Sequence, residues 1–127
     1  MTSSVKTARI LLPSAIRNTS TPCAKQIDPD AHALRFYLNI TVGGGTGLQV
    51  ILRGYDKASG NSVELSTGGT AVTSTGCFAY EVGVQPSAAA GNIKDVISRS
   101  VPYQWDALVK HTDGTNYTYS LSVEIEY

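Results

Sequence analysis

The glycine-rich stretch "ITVGGGTGLQVIL", with Gly43, Gly44, Gly45 and Gly47, has the composition of a loop that cradles phosphate. A Walker-type loop also needs a Gly-Lys-Ser/Thr ending, whose lysine reaches the phosphates while a helix supplies its N-terminal dipole. Neither residue occupies its place here, and residues 48–57 read as a strand. The glycines are therefore assigned to a hairpin loop that uses positive φ.

Other chemistry fares no better. His32 and His111 are the only histidines, and no serine sits in a Gly-x-Ser-x-Gly elbow, so no nucleophile–base set assembles. Both histidines read as exposed strand-end residues. Glu124 and Glu126 are two apart and share one solvent face, whereas glycosidase carboxylates come from separate elements across a cleft. They read as a charged face or edge that resists aggregation. Asp28-Pro29-Asp30 lacks the remaining oxygens of a calcium loop and reads as a linker. Cys23 and Cys77 show no zinc spacing. They read as reduced thiols, with a disulfide between them left open, and Cys77 as a small hydrophobe within a strand. No enzyme activity, metal or cofactor is expected.

The elements that would position any site are strands. In residues 33–42, Phe36, Leu38, Ile40 and Val42 share one face, and Leu48, Val50 and Leu52 continue the alternation after the glycines. "ASGN" (58–61) is a turn, with a short strand at Ser62–Ser66 ended by Gly68 and Gly69. Phe78, Tyr80, Val82 and Val84 mark the next strand. "QPSAAAGNIKD" reads as a connection punctuated by Pro86, Gly91 and Asn92, with room for a helical turn at Ala88–Ala90. Pro102 opens a strand whose inward face is Tyr103, Trp105, Ala107 and Val109, and "DGTN" is a hairpin signal. The last run places Tyr117, Tyr119, Leu121, Val123, Ile125 and Tyr127 inward. The expected fold is all-β, an antiparallel β-sandwich (immunoglobulin-like or jelly-roll-like) over residues 33–127, with an extended N-terminal arm over residues 1–32.

Composition agrees with one domain: 127 residues, 42% hydrophobic and 16% charged. A surface built from Ser, Thr, Asn and Gly suits an extracellular or particle-surface β protein. Ten basic and ten acidic residues cancel, which argues against bulk attraction to nucleic acid. The basic residues Lys6, Arg9, Arg17 and Lys25 nevertheless lead the chain, with no acid before Asp28. This is either a basic arm steering toward an acidic surface or ordinary scatter. The run Ile10–Leu12, broken by Pro13, is far too short for a signal segment or membrane span, so synthesis and residence in a cytoplasm until lysis or assembly are expected. The Asn-x-Ser/Thr triplets at Asn18, Asn39 and Asn116 read as chance. Tyr37 and Tyr55 lie on the parity opposite their strands' apolar sets. Exposed, they would stack on sugars or anchor a protein interface, and the interface is favoured because no polar cluster is evident beside them.

The segment "HALRFYLNITVGGGTGLQVILRGYDKASGNSVEL" (32–65), with its Gly54–Gly60 "GYDKASG" turn, resembles the small β-sandwich head-decoration, or capsid cement, proteins of tailed bacteriophages. "VPYQWDALV" (101–109) and the terminal Tyr119–Val123 strand are similar to later strands of that family. That family similarly places an arm ahead of a strand, short loop and strand, although the glycine loop and this arm, with Cys23, match no assigned motif of it. The resemblance implies a structural virion protein on the outer capsid surface, bound to the major capsid protein as a homo-oligomer, a trimer being the usual form, with no nucleic acid or membrane partner. An arm without its own core would add to a neighbouring chain, and many such contacts on a shell gain by multivalency. Contacts are expected from Arg9, Ile10, Leu11, Leu12 and Arg17, then Tyr37 and Tyr55. Removing residues 1–30 is expected to leave a folded body that no longer binds shells. Rival readings are a carbohydrate-binding sandwich of a fibre or adhesin, and another head or tail component.

Overall fold

A computed structural model describes residues 5–83 and 89–127. The described residues form an all-β sandwich of ten strands: β1 (Lys6–Arg17), β2 (Thr21–Pro22), β3 (Gln26–Ile27), β4 (Ala33–Val42), β5 (Leu48–Tyr55), β6 (Ser62–Glu64), β7 (Gly76–Gly83), β8 (Ile93–Ser98), β9 (Gln104–His111) and β10 (Tyr117–Glu126). The first sheet has the order β1-β10-β4-β7-β8. The second runs β2-β9-β5-β6, with β3 also on the outer edge of β9. All pairs are antiparallel except β7–β8, which is parallel.

Alternation builds the core as expected. Phe36, Leu38 and Ile40 of the first sheet face Val50, Leu52, Trp105, Ala107 and Val109 of the second. Phe36 meets Trp105 edge-on, with ring centroids 5.7 Å apart. From β10, Tyr117, Tyr119, Leu121, Val123 and Ile125 are all buried, which explains the clean period of two in the final run.

Several expectations are corrected. The N-terminal segment is no arm: β1 pairs with β10 through nine residue pairs, and β2 and β3 pair with β9. The two halves of residues 5–32 thus edge both sheets and seal one side of the sandwich. The glycine loop and "DGTN" are not hairpins. Each carries the chain from one sheet to the other, β4 to β5 and β9 to β10. Gly44 and Gly47 do adopt positive φ, and the two arches are tied together by Thr46 N donating to Asp113 and by the Thr112 hydroxyl donating to Gly47 O. Only "ASGN" closes a true hairpin, between β5 and β6.

Val42 and Tyr103 are exposed, not inward. A bulge between the Val42–Thr118 and Ile40–Tyr119 pairs turns Val42 to the outer face. Tyr103 precedes its strand. "IKDVIS" is the strand β8, not connection. Ala89 and Ala90 carry no regular structure, while Val84, Pro86 and Ala88 lie outside the described residues. The second side of the sandwich is closed where Gly69 lies against the backbone of β8. A Cβ there would collide with Lys94 O, and its φ of 64° also excludes other residues at low cost.

Candidate functional site

Two buried carboxylates on either side of β3 decide what the N-terminal segment does. Asp28, 5% exposed, accepts two bonds from Arg9 (Nη1 3.0 Å, Nη2 2.7 Å) and one from the Tyr127 hydroxyl at 3.1 Å. Arg9 Nη1 also donates to Gln26. Asp106, 1% exposed, accepts from Arg53 Nε at 2.8 Å, Arg53 Nη2 at 2.6 Å and the Tyr55 hydroxyl at 2.5 Å. Each acid thus holds a bidentate arginine and a tyrosine hydroxyl, the arrangement that makes a buried charge tolerable. The bond to Asp28 holds the Arg9 guanidinium above its usual pKa, and the bond to Asp106 does the same for Arg53. Desolvation first, then Asp106, raises the Tyr55 hydroxyl. Arginine and tyrosine therefore stay protonated across neutral pH.

The basic lead of the chain is consequently engaged within the molecule, with Lys6 and Lys25 exposed and Arg9 and Arg17 half-buried. Lys6 pairs with Glu124 at 3.7 Å, and Arg9 binds Asp28. Arg17 donates to Tyr119 O and Pro13 O and lies over the Tyr119 ring. Lys25 sits 4.4 Å above the Tyr55 ring. Asp28 is a pairing partner, not linker, and Glu124 finds Lys6 and Arg35 across the sheet.

Of the expected contact residues, Arg9 and Arg17 are occupied, Leu12 belongs to the core and Leu11 packs against it. Tyr55 lies in a polar cluster that its sequence neighbourhood concealed, with one ring face under Lys25 and its hydroxyl on Asp106. Ile10 remains, 75% exposed, and Tyr37 is half-buried on the outer face of the first sheet. Register shows what else shares that face. Ile10 lies across from Ser122, Tyr37 and Ala79 in one row. Ala8, Glu124, Arg35 and Glu81 form the row nearer the termini, with Arg35 bound to Glu81 at 2.7 Å. Toward the arches Ile16 (70% exposed), Thr118 and Val42 (55%) make a third row. The outer face is therefore charged at its terminal end and uncharged at its arch end, where Ile16 and Val42 flank Thr118 beyond the row Ser120, Asn39 and Cys77. Ile16 could be counted as apolar in the sequence, but the bulge that exposes Val42 leaves no sequence signal.

Elsewhere, Cys23 is buried and Cys77 exposed on the same outer face, both as free thiols. Cys77 is thus not a packed hydrophobe. Ala107 N donates to Cys23 Sγ and Cys23 N to Ala107 O, fixing the strap of residues 18–32 to β9. A groove beside β6 is lined by Ile51, Glu64, Leu65, Ser66, Thr67 and Lys110. Its Ser66 hydroxyl accepts from Leu52 N and serves the backbone.

His111 is not an exposed end residue. It is half-buried against Tyr117 and Tyr119, with Nε2 2.9 Å from the Tyr119 hydroxyl. Burial, helped by Arg17 and opposed by Asp113, pushes its pKa down. The folded state thus disfavours the proton. Stability is full above the unfolded value of about 6.5 and falls as pH drops through it, levelling off below the folded value. Between about pH 7.5 and about pH 5.5, the wild type should lose more melting temperature than His111→Gln, which keeps a polar head but cannot titrate. Equal losses would remove His111 as the cause.

Comparison of the sequence with protein-family models and with curated proteins finds no match.

Proposed function

We propose that the chain is a structural virion protein that decorates the outer surface of a tailed-phage head, bound to the major capsid protein and stabilising the shell. One observation carries the reading in the fold: a sandwich closed on both sides presents the apolar row Ile16–Thr118–Val42 beside two cross-braced arches. Rigid, neutral overall and uncharged at one end, such a body suits repeated contact with a surface. The resemblance of residues 32–65, 101–109 and 119–123 to head-decoration proteins supports it from the sequence side. The docking residues are then Ile16 and Val42 at the arch end, not the strap as a free arm.

The test is co-sedimentation with expanded, undecorated heads. Saturation at a fixed copy number per head, with heads made more resistant to heat, is expected. Ile16→Asp and Val42→Asp, both on exposed side chains, should weaken binding about tenfold or more while leaving the melting temperature close to wild type. A well-folded protein that leaves heads bare would end this reading and move attention to glycan binding.

A further inference from the structure

The terminal half of the same outer face carries a charge pattern that complements itself. Arg35 and Glu124 are directly opposed on the neighbouring strands β4 and β10, flanked by Glu81 on β7 and by Lys6 reaching in from β1. Above them lies the neutral row Ile10, Ser122, Tyr37 and Ala79. Consider a second copy laid face to face. A two-fold axis across the strands puts Arg35 on Arg35 and Glu124 on Glu124 when the charged rows meet, or puts charges on the uncharged end. A two-fold along the strands, between β10 and β4, keeps each row at its own level and reverses its lateral order. Arg35 then faces Glu124 of the other copy twice, Ala8 faces Glu81, Tyr37 faces Ser122 and Ile10 faces Ala79. Aligned sheets cross at about 30°, which such an axis permits.

We infer that the outer face of the first sheet joins two copies of this chain about a two-fold axis parallel to its strands. Tyr37 and Ile10 supply the apolar contact, and the reciprocal Arg35–Glu124 pairs set orientation, as charges at interfaces do. The strands of both copies point the same way. The same axis sets Val42 of each copy against Thr118 of the other, and both arch ends lie at one end of the dimer, where a single surface can engage the arches of the two copies together. This two-fold pairing replaces the trimer that the family resemblance implies. It is tested without heads.

The experiment is sedimentation equilibrium of the full chain from low to high micromolar concentration. A reversible monomer–dimer equilibrium is expected for wild type. Arg35→Glu or Glu124→Arg alone should weaken it about tenfold or more, because like charges then face each other. The double exchange should return it to within about threefold of wild type. Ala79→Arg, which leaves every ion pair intact, should block it. Thermal melts establish that each variant is folded. A monomer at all concentrations overturns the inference. So does an oligomer indifferent to Ala79→Arg, or a double exchange no stronger than either single change.

Discussion

Removal of residues 1–30 is expected to abolish the cooperative fold, not to leave a body stripped of an accessory arm. The segment contributes Leu12 and Cys23 to the core. It also covers the edge of β10 through nine residue pairs and the edge of β9 through β2 and β3. Loss of a single buried leucine side chain costs about 2–5 kcal/mol. A domain of this kind has about 5–15 kcal/mol in total. Truncation removes that leucine and also bares Tyr119, Leu121 and Val123 along one edge and Trp105 and Ala107 along another. The shortened chain should show no sigmoidal melt and no near-ultraviolet signal from Trp105. A synthetic peptide spanning residues 5–32, added in trans, should restore both. A truncated chain that melts cooperatively within a few degrees of the full one would return the segment to the status of a separable arm. Because folding and binding fail together in this deletion, shell contacts are better probed by point changes.

The second large effect is expected at Asp106. Arg53→Met leaves a carboxylate that is 1% exposed with only the Tyr55 hydroxyl as a side-chain partner. Breaking a buried pair from one side costs about 3–5 kcal/mol, because the remaining charge is neither paired nor hydrated. Arg53→Met combined with Asp106→Leu should recover most of that loss, since apolar replacement of both partners is often nearly neutral. Urea midpoints at constant slope give the comparison. If Arg53→Met unfolds at the wild-type midpoint, this cross-strand pair of β5 and β9 does not hold the fold.

The buried strands were readable because one face of each is dry. Phe36, Leu38 and Ile40, or Leu121, Val123 and Ile125, repeat every two residues for that reason. Strands at the edges were not. In β8 every residue from Ile93 to Ile97 is half-buried, so no alternation arises, and the pattern of β1 is broken by Pro13 and two register shifts. Arches and hairpins share the same glycine chemistry, so the sequence of residues 43–47 or 113–116 does not reveal which sheet receives the chain. Asp106 and Arg53 occupy outward parity and read as wetted residues. Their burial depends on a strap more than 75 positions away in sequence from Asp106, a separation that turn and period signals do not bridge.

The pairing of β1 with β10 has a further consequence, in time. Residues 6–17 find their partner in residues 117–126, about 100 or more positions later, and the arches ensure that few consecutive strands pair. Closing such separations is slow and exposes unpaired strands meanwhile. Nascent chains must therefore hold β1 unpaired until β10 has been made. A folded copy appears only once β10 has found β1, so the supply of this protein to any assembly lags its synthesis by a folding delay set by the chain's own topology.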